Sequence, residues 1–427
     1  MLQANQPCPS QDIPQLGSRL LLAMLAYLAL LLYGSLYPFH GWRAPLYPFF
    51  SFLRIWPAHL DKADLIQNVL VYAPFGLLAA LWLSRVLRLA RALLLAVALG
   101  TLLSLAIECL QQLNPARVAS VVDIAMNGLG TACGAMLSTA MLRHTFSGAV
   151  LLAWRDRWFR RGALANTGLV IFAFWLLSQT SPLVPTLDIG HLRHALSGLF
   201  HALQDPRHVY LPKLASYACD IAALGVIAML LIRPARPGLM LFALAITCVL
   251  LAKVVVVSRV LSLEAVAGAA LGLAACAGLR IAPRSMLPFV GMLLAAAGFI
   301  VSELMSTHGG GTSSFNWIPF VGQMRTYTGL ENILELLWPF LAISWFARIA
   351  TPLRLASRVM TVGAMLVTAA VFALEWRQQW LPGRYGDITQ VLLCLAGWII
   401  PWCVRADSHD ARIGWSGFDP TGSAPEA

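Results

Sequence analysis

Long apolar stretches separated by short polar segments follow one another through almost the whole chain. Of its 427 residues, 59% are hydrophobic and only 11% are charged, whereas a soluble protein carries about 25% charged residues. A run of about 20 apolar residues can cross a bilayer as a helix, and a helix satisfies its own backbone hydrogen bonds there. The sequence therefore predicts an integral membrane protein built from helices.

Twelve apolar runs qualify as candidate spans, and the loops after the first, fifth and ninth runs are the longest. We therefore expect an all-α fold, a polytopic transmembrane helical bundle of about 12 spans arranged as three parallel four-span units. The predicted units are 19–142, 163–280 and 286–404, between an N-terminal segment 1–18 and a polar tail 405–427. The candidate spans are 19–36, 65–84, 92–112, 121–142, 163–181, 213–232, 238–257, 261–280, 286–305, 329–347, 356–376 and 387–404.

The distribution of positive charge predicts the topology. Most of the 30 Lys and Arg residues lie in the terminal segments and the even-numbered loops. By the positive-inside rule, both termini are expected in the cytoplasm and the odd-numbered loops at the outer face of the cytoplasmic (inner) membrane. The net charge of +11 is therefore read as a topology signal, and no nucleic-acid partner is expected. The apolar run from Arg19 is expected to be a retained span, not a cleaved signal.

No cofactor or metal site is expected from the sequence. Most of the eight cysteines fall in apolar runs, and no C-x-x-C is present. His191, His194 and His201 share one face of residues 188–204, and leucines share the other. Zinc binding by these histidines is one interpretation, but an amphipathic helix on the membrane surface is favoured. The motifs of nucleotide-binding loops and zinc proteases are absent.

One polar segment, Glu108–Arg117, interrupts the apolar pattern and occurs again as Glu375–Arg384. A glutamate, two glutamines, a proline and an arginine keep the same spacing in both copies. Each copy lies at the predicted outer end of a span. Ionisable groups inside membrane spans suggest function, although the argument is weaker at span ends. Arg117 could form a bidentate pair with Glu108 or with Asp123.

Further polar residues surround the first copy at the same predicted membrane face. Asp64 and Asn68 are four residues apart and share a helical face, as do Asp123 and Asn127. Two interpretations remain open: a ligand-binding or catalytic site at the outer leaflet, and a structural clasp that joins three helix ends. In the second, the two aspartates are helix caps. The candidate ligand-binding residues are Asp64, Asn68, Glu108, Gln111, Gln112, Arg117, Asp123 and Asn127.

The second copy is less complete than the first. Asp387 follows Arg384 by three residues where Asp123 follows Arg117 by six, and Val391 stands where an asparagine is expected. The weaker candidate site comprises Asn332, Glu375, Gln378, Gln379, Arg384 and Asp387.

The middle unit retains fewer of these positions. Arg259-x2-Ser262 aligns with Arg117-x2-Ser120, but no glutamate is present and the unit is expected only to pack. Its notable charges inside spans are Asp220 and Lys253, which could pair with each other.

Residues 35–137 resemble a VanZ-like domain. The resemblance rests on Tyr37-Pro-Phe39, on Asp64-x3-Asn68-x5-Pro74-Phe-Gly76 and on Glu108-x2-Gln-Gln-x2-Pro-x-Arg117-x5-Asp123-x3-Asn127-x2-Gly130. Residues from about 318 to 400 are similar to an eroded repeat of it. The resemblance implies a small four-span membrane domain, a link to glycopeptide resistance and no established molecular activity. It also implies that Asp64, Asn68, Glu108, Gln111, Arg117, Asp123 and Asn127 are the family's polar positions.

These observations favour a non-enzymatic envelope protein that binds a polar or anionic headgroup, or an envelope precursor, at the outer face of the first unit. Arg117 would contact the anionic group. The expected partners are membrane lipids and lipid-linked envelope precursors. Two alternatives remain: a membrane enzyme acting on lipid-linked sugars or phospholipids, with Glu108 or Asp123 as general base, and a secondary transporter.

Overall fold

The computed structural model contains helices, turns and irregular loops, and no strand among the residues that it describes. The chain divides into two compact units, Met1–Arg155 and Asp156–Ala427. The described residues are 12–37, 39, 41–45, 48–56, 61–115, 117–142, 145–205, 207, 209–305, 314–325, 329–380 and 384–404. The predicted tail 405–427 and the first eleven residues of the N-terminal segment lie outside them.

The first unit is a bundle of four long helices, followed by a fifth helix that runs across the unit boundary. These helices are α1 Asp12–Leu36, α2 Lys62–Leu83, α3 Leu89–Gln111, α4 Val121–Met141 and α5 Phe146–Trp158. Helix α1 begins seven residues before the predicted span. Pro14 does not prevent this early start, because a proline in the first turn removes no helical hydrogen bond.

Helices α2 and α4 pack closely through glycines. A Cβ atom added at Gly134 would lie 1.8 Å from the Ala73 carbonyl oxygen, and one at Gly130 would lie 2.3 Å from that of Val69. Only a glycine can occupy either position without moving the neighbouring backbone. The G-x-x-x-G spacing of the sequence is therefore a helix-packing motif.

Ten further α-helices lie in the described part of the second unit. They are α6 Ala163–Thr180, α7 Ile189–Gln204, α8 Leu211–Leu231, α9 Gly238–Val255, α10 Leu263–Leu279, α11 Leu287–Leu304, α12 Val321–Arg325, α13 Gly329–Ala350, α14 Ala356–Gln378 and α15 Ile388–Cys403. The predicted units 163–280 and 286–404 share one hydrophobic core. At its centre the indole Nε1 of fully buried Trp345 donates to the Leu164 carbonyl over 2.8 Å.

A helix lies at each of the twelve predicted spans. Nine described helices are long and apolar enough to cross a membrane, and three shorter apolar helices, Leu20–Leu36, Leu263–Leu279 and Ile388–Cys403, occupy the remaining places. The all-α membrane fold is confirmed, whereas the exact number of spans and the three-unit arrangement stay predictions. The helix expected at 188–204 is present as α7, and α5 was not predicted.

Candidate functional site

Glu108 lies in the last turn of α3 with only 3% of its surface exposed. Its Oε2 accepts a hydrogen bond from the backbone N–H of Ser120 over 2.9 Å. Ser120 is the N-cap of α4, where its hydroxyl accepts from Val122 N–H. The carboxylate therefore joins the end of α3 to the start of α4.

Arg117 attaches the turn between α3 and α4 to the end of α1. Its Nε donates to the Tyr37 carbonyl over 2.8 Å and its Nη2 to the Gly34 carbonyl over 2.9 Å. Both carbonyls belong to the C-terminal end of α1, where helical carbonyls lack partners within the helix. Among the described residues Arg117 makes no ion pair with Glu108 or Asp123, so the expected bidentate pair is not formed. A guanidinium placed here also complements the negative end of the helix dipole.

The two glutamines of the segment bind different loops. Gln111 Nε2 donates to the Ser35 carbonyl over 2.7 Å, which adds a third contact to the end of α1. Gln112 Oε1 accepts from the Phe50 backbone N–H over 3.2 Å and so holds the loop between α1 and α2.

The paired aspartates and asparagines meet across α2, α3 and α4. Asn68 and Asp64 of α2 both lie near the Asp123 carboxylate of α4. Asn127 Nδ2 donates to Ser104 Oγ over 2.9 Å. Neither aspartate is the cap that the sequence suggested, because Asp61 caps α2 and Ser120 caps α4.

The first-copy residues are thus brought together, each through contacts with helix ends or neighbouring helices. The arrangement has the form of the clasp interpretation.

The second copy repeats the central contact of the first. Glu375 Oε2 accepts from the Asp387 backbone N–H over 3.0 Å, and Asp387 is the N-cap of α15. Asp387 therefore corresponds to Ser120, which also lies three residues after its arginine, and not to Asp123, its expected counterpart.

The other second-copy residues are distributed over three environments. Gln378 Nε2 donates to both Glu375 and Glu303, over 2.9 and 2.7 Å. Among the described residues, Gln379 bonds only to the Trp376 carbonyl of its own helix. Asn332 lines a large cavity of the second unit, whose lining also contains Arg384 and Asp387.

Three arginines make the same kind of contact with a helix end. As Arg117 does with α1, Arg259 donates to the Ser178 and Ser181 carbonyls at the end of α6, over 2.8 and 2.7 Å. Arg384 donates to the Glu303 and Ser302 carbonyls at the end of α11, over 2.7 and 3.4 Å. Arg259 was not among the candidate residues, although its shared R-x2-Ser spacing was the signal that could have identified it.

A pocket of about 450 Å³ lies in the first unit, beside this clasp. The loop between α1 and α2 and the turn between α3 and α4 form its walls. Its lining contains two arginines, Arg43 and Arg117, and no carboxylate among the described residues. Apolar side chains such as Phe52, Ile55 and Val118 line much of the rest, together with uncharged polar residues such as Ser51 and Asn114. The pocket thus combines positive charge with an apolar wall.

The two arginines differ in how much of their guanidinium is free. Arg43 is exposed, and among the described residues only its backbone N–H is bonded, to the Leu113 carbonyl. Arg117 uses Nε and Nη2 for α1 and has no described partner at Nη1. Burial lowers the pKa of Arg117 and the Glu108 carboxylate opposes this shift, so the guanidinium stays charged. Both can face an anion in the pocket.

Exposed aromatic residues surround this pocket on the loop between α1 and α2. Phe49, Phe50 and Trp56 expose 46%, 49% and 69% of their surfaces. Aromatic side chains at a helix end are typical of the membrane–water interface.

A second, larger cavity of about 610 Å³ lies in the second unit. Most of its charged lining residues were not candidates from the sequence. Asp220 and Lys253 were noted as charges inside apolar runs, but among the described residues they do not form the expected ion pair.

The histidines of α7 do not form a metal site. Among the described residues, no group of three His, Cys, Asp or Glu side chains could hold a metal ion. His201 Nδ1 instead lies 2.7 Å from the Ser197 carbonyl of its own helix.

Comparison with known proteins assigns the first unit to a family. Residues 20–143 match the model of the VanZ/LLP1 family. This segment is a VanZ-like domain. The match begins in α1 and ends just after α4, so it contains the whole Glu108–Arg117 clasp. No curated protein and no solved structure matches the chain.

Proposed function

We propose that this protein is a multi-pass protein of the bacterial cytoplasmic membrane whose VanZ-like domain binds an anionic headgroup at the outer face. The headgroup belongs to a membrane lipid or to a lipid-linked envelope precursor. The observation that carries the proposal is the pocket lined by Arg43, Arg117 and apolar side chains. A phosphate beside an arginine gains charge-assisted hydrogen bonds, and the apolar wall suits the lipid chain next to it.

Within this proposal the polar residues have two kinds of role. Arg43 and Arg117 contact the anion, and Gln112 holds the Phe50 backbone at the edge of the pocket. Glu108 joins the ends of α3 and α4 and keeps the pocket in shape, instead of touching the ligand.

Binding is favoured over catalysis by the chemistry of the pocket lining. A general base has to come within hydrogen-bond reach of the proton that it removes. No carboxylate or histidine lines the pocket among the described residues. An enzyme acting on lipid-linked sugars is therefore the weaker alternative for this pocket.

The same proposal includes an internal repeat and a common orientation. Arg117, Arg259 and Arg384 each bind the end of a helix about 80 residues earlier in the chain. Three similar contacts support descent from one four-span unit, with all units oriented alike. Both termini would then be cytoplasmic, and a role in glycopeptide resistance would follow if the bound headgroup belongs to a cell-wall precursor.

The lipids that accompany the purified protein test the proposal. The full chain, extracted in mild detergent, is analysed by native mass spectrometry with lipid identification. Anionic lipids or lipid-linked phosphates should be retained above their share of the membrane. A lipid complement that simply mirrors the membrane would contradict the proposal.

A further inference from the structure

The cavity of the second unit reaches far into the helical bundle. Its lining comes from α8, α9, α11, α13 and the turn before α15, among other segments. Asp220 is the tenth of the 21 residues of α8, which places it about 14 Å along the helix from Leu211. The cavity therefore carries charge to the middle of a predicted span, where charge is costly and rarely without function.

Part of that charge is used in structural contacts. Arg259 forms an ion pair with Glu331 at 2.6 Å, and Arg384 forms one with Glu303 at 3.3 Å. Asp387 accepts hydrogen bonds from both the backbone and the hydroxyl of Thr389. These groups hold helix ends together and are not available to a ligand without breaking those contacts.

Four other charged side chains line the cavity without such contacts. Lys213, Lys253, Asp220 and Glu335 make no hydrogen bond or ion pair with any described residue. They supply two positive and two negative charges. They come from three helices, since Lys213 and Asp220 lie on α8, Lys253 on α9 and Glu335 on α13.

Lys253 is the most unusual of the four. Only 5% of its surface is exposed, yet its ammonium group has no oxygen partner among the described residues. Its Nζ lies 5.0 Å from the centre of the Tyr217 ring. A cation–π contact offsets only part of the cost of removing an ammonium group from water. The side chain lines the cavity, so the missing partner has to come from there.

The side chain of Asp220 is accommodated by a glycine of the neighbouring helix. A Cβ atom at Gly298 would lie 2.2 Å from Asp220 Oδ1, so the glycine leaves room for the carboxylate between α8 and α11. The carboxylate is thus accommodated beside Gly298 at the cavity, and it forms no ion pair with Lys253 among the described residues.

We propose that this cavity binds a zwitterion that carries a primary ammonium and a phosphate group, such as phosphoethanolamine or the headgroup of phosphatidylethanolamine. The ammonium lies against Asp220 and Glu335, and the phosphate lies against Lys253 and Lys213.

Both parts of the ligand are required by the balance of unpaired charge. An anion alone leaves two carboxylates unpaired, and a cation alone leaves two lysines unpaired. An uncompensated buried charge is strongly destabilising, and this cost is greatest for Lys253, which is buried. Lys213 and Asp220 are half-buried, and Glu335 is exposed. A zwitterion satisfies both pairs and adds no net charge to the bundle.

Aromatic side chains also line the cavity. Tyr217, Trp338 and Tyr385 line it. Aromatic faces attract ammonium groups, most strongly when water is excluded. Hydroxyl and amide groups of Ser216, Asn332 and Gln390 offer further hydrogen bonds.

This inference does not depend on the headgroup pocket of the VanZ-like domain. The cavity lies in the other unit, and none of its lining residues belongs to the first. The two ligands also differ in charge. One proposal can fail while the other holds.

The test measures binding of soluble probes to the full chain in detergent by calorimetry. The probes are phosphoethanolamine, inorganic phosphate and ethanolamine. A second arm uses nanodiscs that contain phosphatidylethanolamine and phosphatidylglycerol, with the bound lipid identified by native mass spectrometry. Binding in the first arm indicates a soluble ligand, and selective retention of phosphatidylethanolamine in the second indicates a lipid.

Lys253→Gln and Asp220→Asn should each weaken binding of the zwitterion by at least about tenfold. The matched control Lys62→Gln removes an exposed lysine of the first unit and should bind as the unchanged protein does. If thermal unfolding shows that either cavity variant is misfolded, Glu335→Gln replaces it in the binding test. The inference is overturned if phosphate alone binds as tightly as phosphoethanolamine, if no probe binds the folded protein in either arm, or if the folded variants bind normally.

Discussion

The carboxylate of Glu108 binds the backbone N–H of Ser120, the residue that caps the next helix, over 2.9 Å. Glu375 stands in the same relation to Asp387 over 3.0 Å. In each case a nearly buried glutamate fixes the turn between two helices. The repeated string in the sequence thus has a structural meaning: each copy forms a helix-to-helix joint.

This joint predicts a graded loss of stability at Glu108. Glu108→Ala leaves the Ser120 N–H without its acceptor and should cost about 1–3 kcal/mol of unfolding free energy. Glu108→Gln keeps an acceptor oxygen and should cost less. Thermal unfolding in one detergent, with Glu375→Ala and Glu375→Gln measured in parallel, checks the order. Equal losses for the alanine and glutamine variants would contradict it.

Arg259 allows the helix-end contact to be tested in the second unit. Arg259→Lys keeps the positive charge but cannot reach the Ser178 carbonyl, the Ser181 carbonyl and Glu331 together, because lysine has one ammonium group and no planar fork. The free energy of unfolding should fall by about 1–3 kcal/mol. Arg358→Lys, on an exposed face of α14, is the matched control. If Arg259→Lys loses no more unfolding free energy than the control, Arg259 does not stabilise the end of α6.

Close packing of α2 on α4 predicts strong sensitivity at Gly134. Gly134→Ala places a methyl group against the Ala73 carbonyl oxygen and should cost about 3 kcal/mol or more. Gly34→Ala is the control, because a Cβ there meets nothing within 4 Å; its effect should stay within about 1 kcal/mol. Chemical or thermal unfolding of the two variants gives the comparison. A tolerated alanine at position 134 would show that the helices can separate at little cost.

The proposed orientation predicts which loops a reagent reaches from outside the cell. Trp56 lies in the loop between α1 and α2, and Val86 lies between α2 and α3; both are exposed. In a background that lacks the accessible native cysteines, Trp56→Cys should react with an impermeant maleimide in intact cells. Val86→Cys should react only after the membrane is permeabilised. The reverse pattern would invert the topology.

The helices could be predicted from the sequence because the bilayer imposes a simple rule on length and polarity. Each predicted span between residues 19 and 404 contains a helix. Helix α1 begins at Asp12, earlier than predicted, because Pro14 lies in its first turn, where a proline is tolerated. Close helix packing was also visible, since Gly130 and Gly134 have the spacing that brings two backbones together.

The partners of the polar residues were harder to predict. Arg117 was expected to bind a carboxylate, but it binds the backbone carbonyls of Gly34 and Tyr37. Every residue has a carbonyl, so no side-chain pattern marks one as an acceptor. Only the fold shows which helix end lies within reach of the guanidinium.

The large cavity could be predicted only in part. Asp220 and Lys253 stood out because they interrupt apolar runs, and pairing them was the simplest way to remove two buried charges. Glu335 lies near the start of α13, where polar residues are common. Its position beside the same cavity depends on how α8, α11 and α13 pack together. This packing cannot be predicted from the sequence pattern.

Binding of an anionic lipid to Arg43→Gln tests the central proposal most directly. This change removes a free guanidinium from the pocket and leaves the helix-end contact of Arg117 intact. Arg54→Gln, an exposed arginine of the same loop that does not line the pocket, is the matched control. Retention of phosphatidylglycerol is measured by native mass spectrometry of protein released from nanodiscs. We predict a loss of about tenfold for Arg43→Gln and little change for Arg54→Gln; equal retention in both folded variants would contradict a headgroup site in the VanZ-like domain.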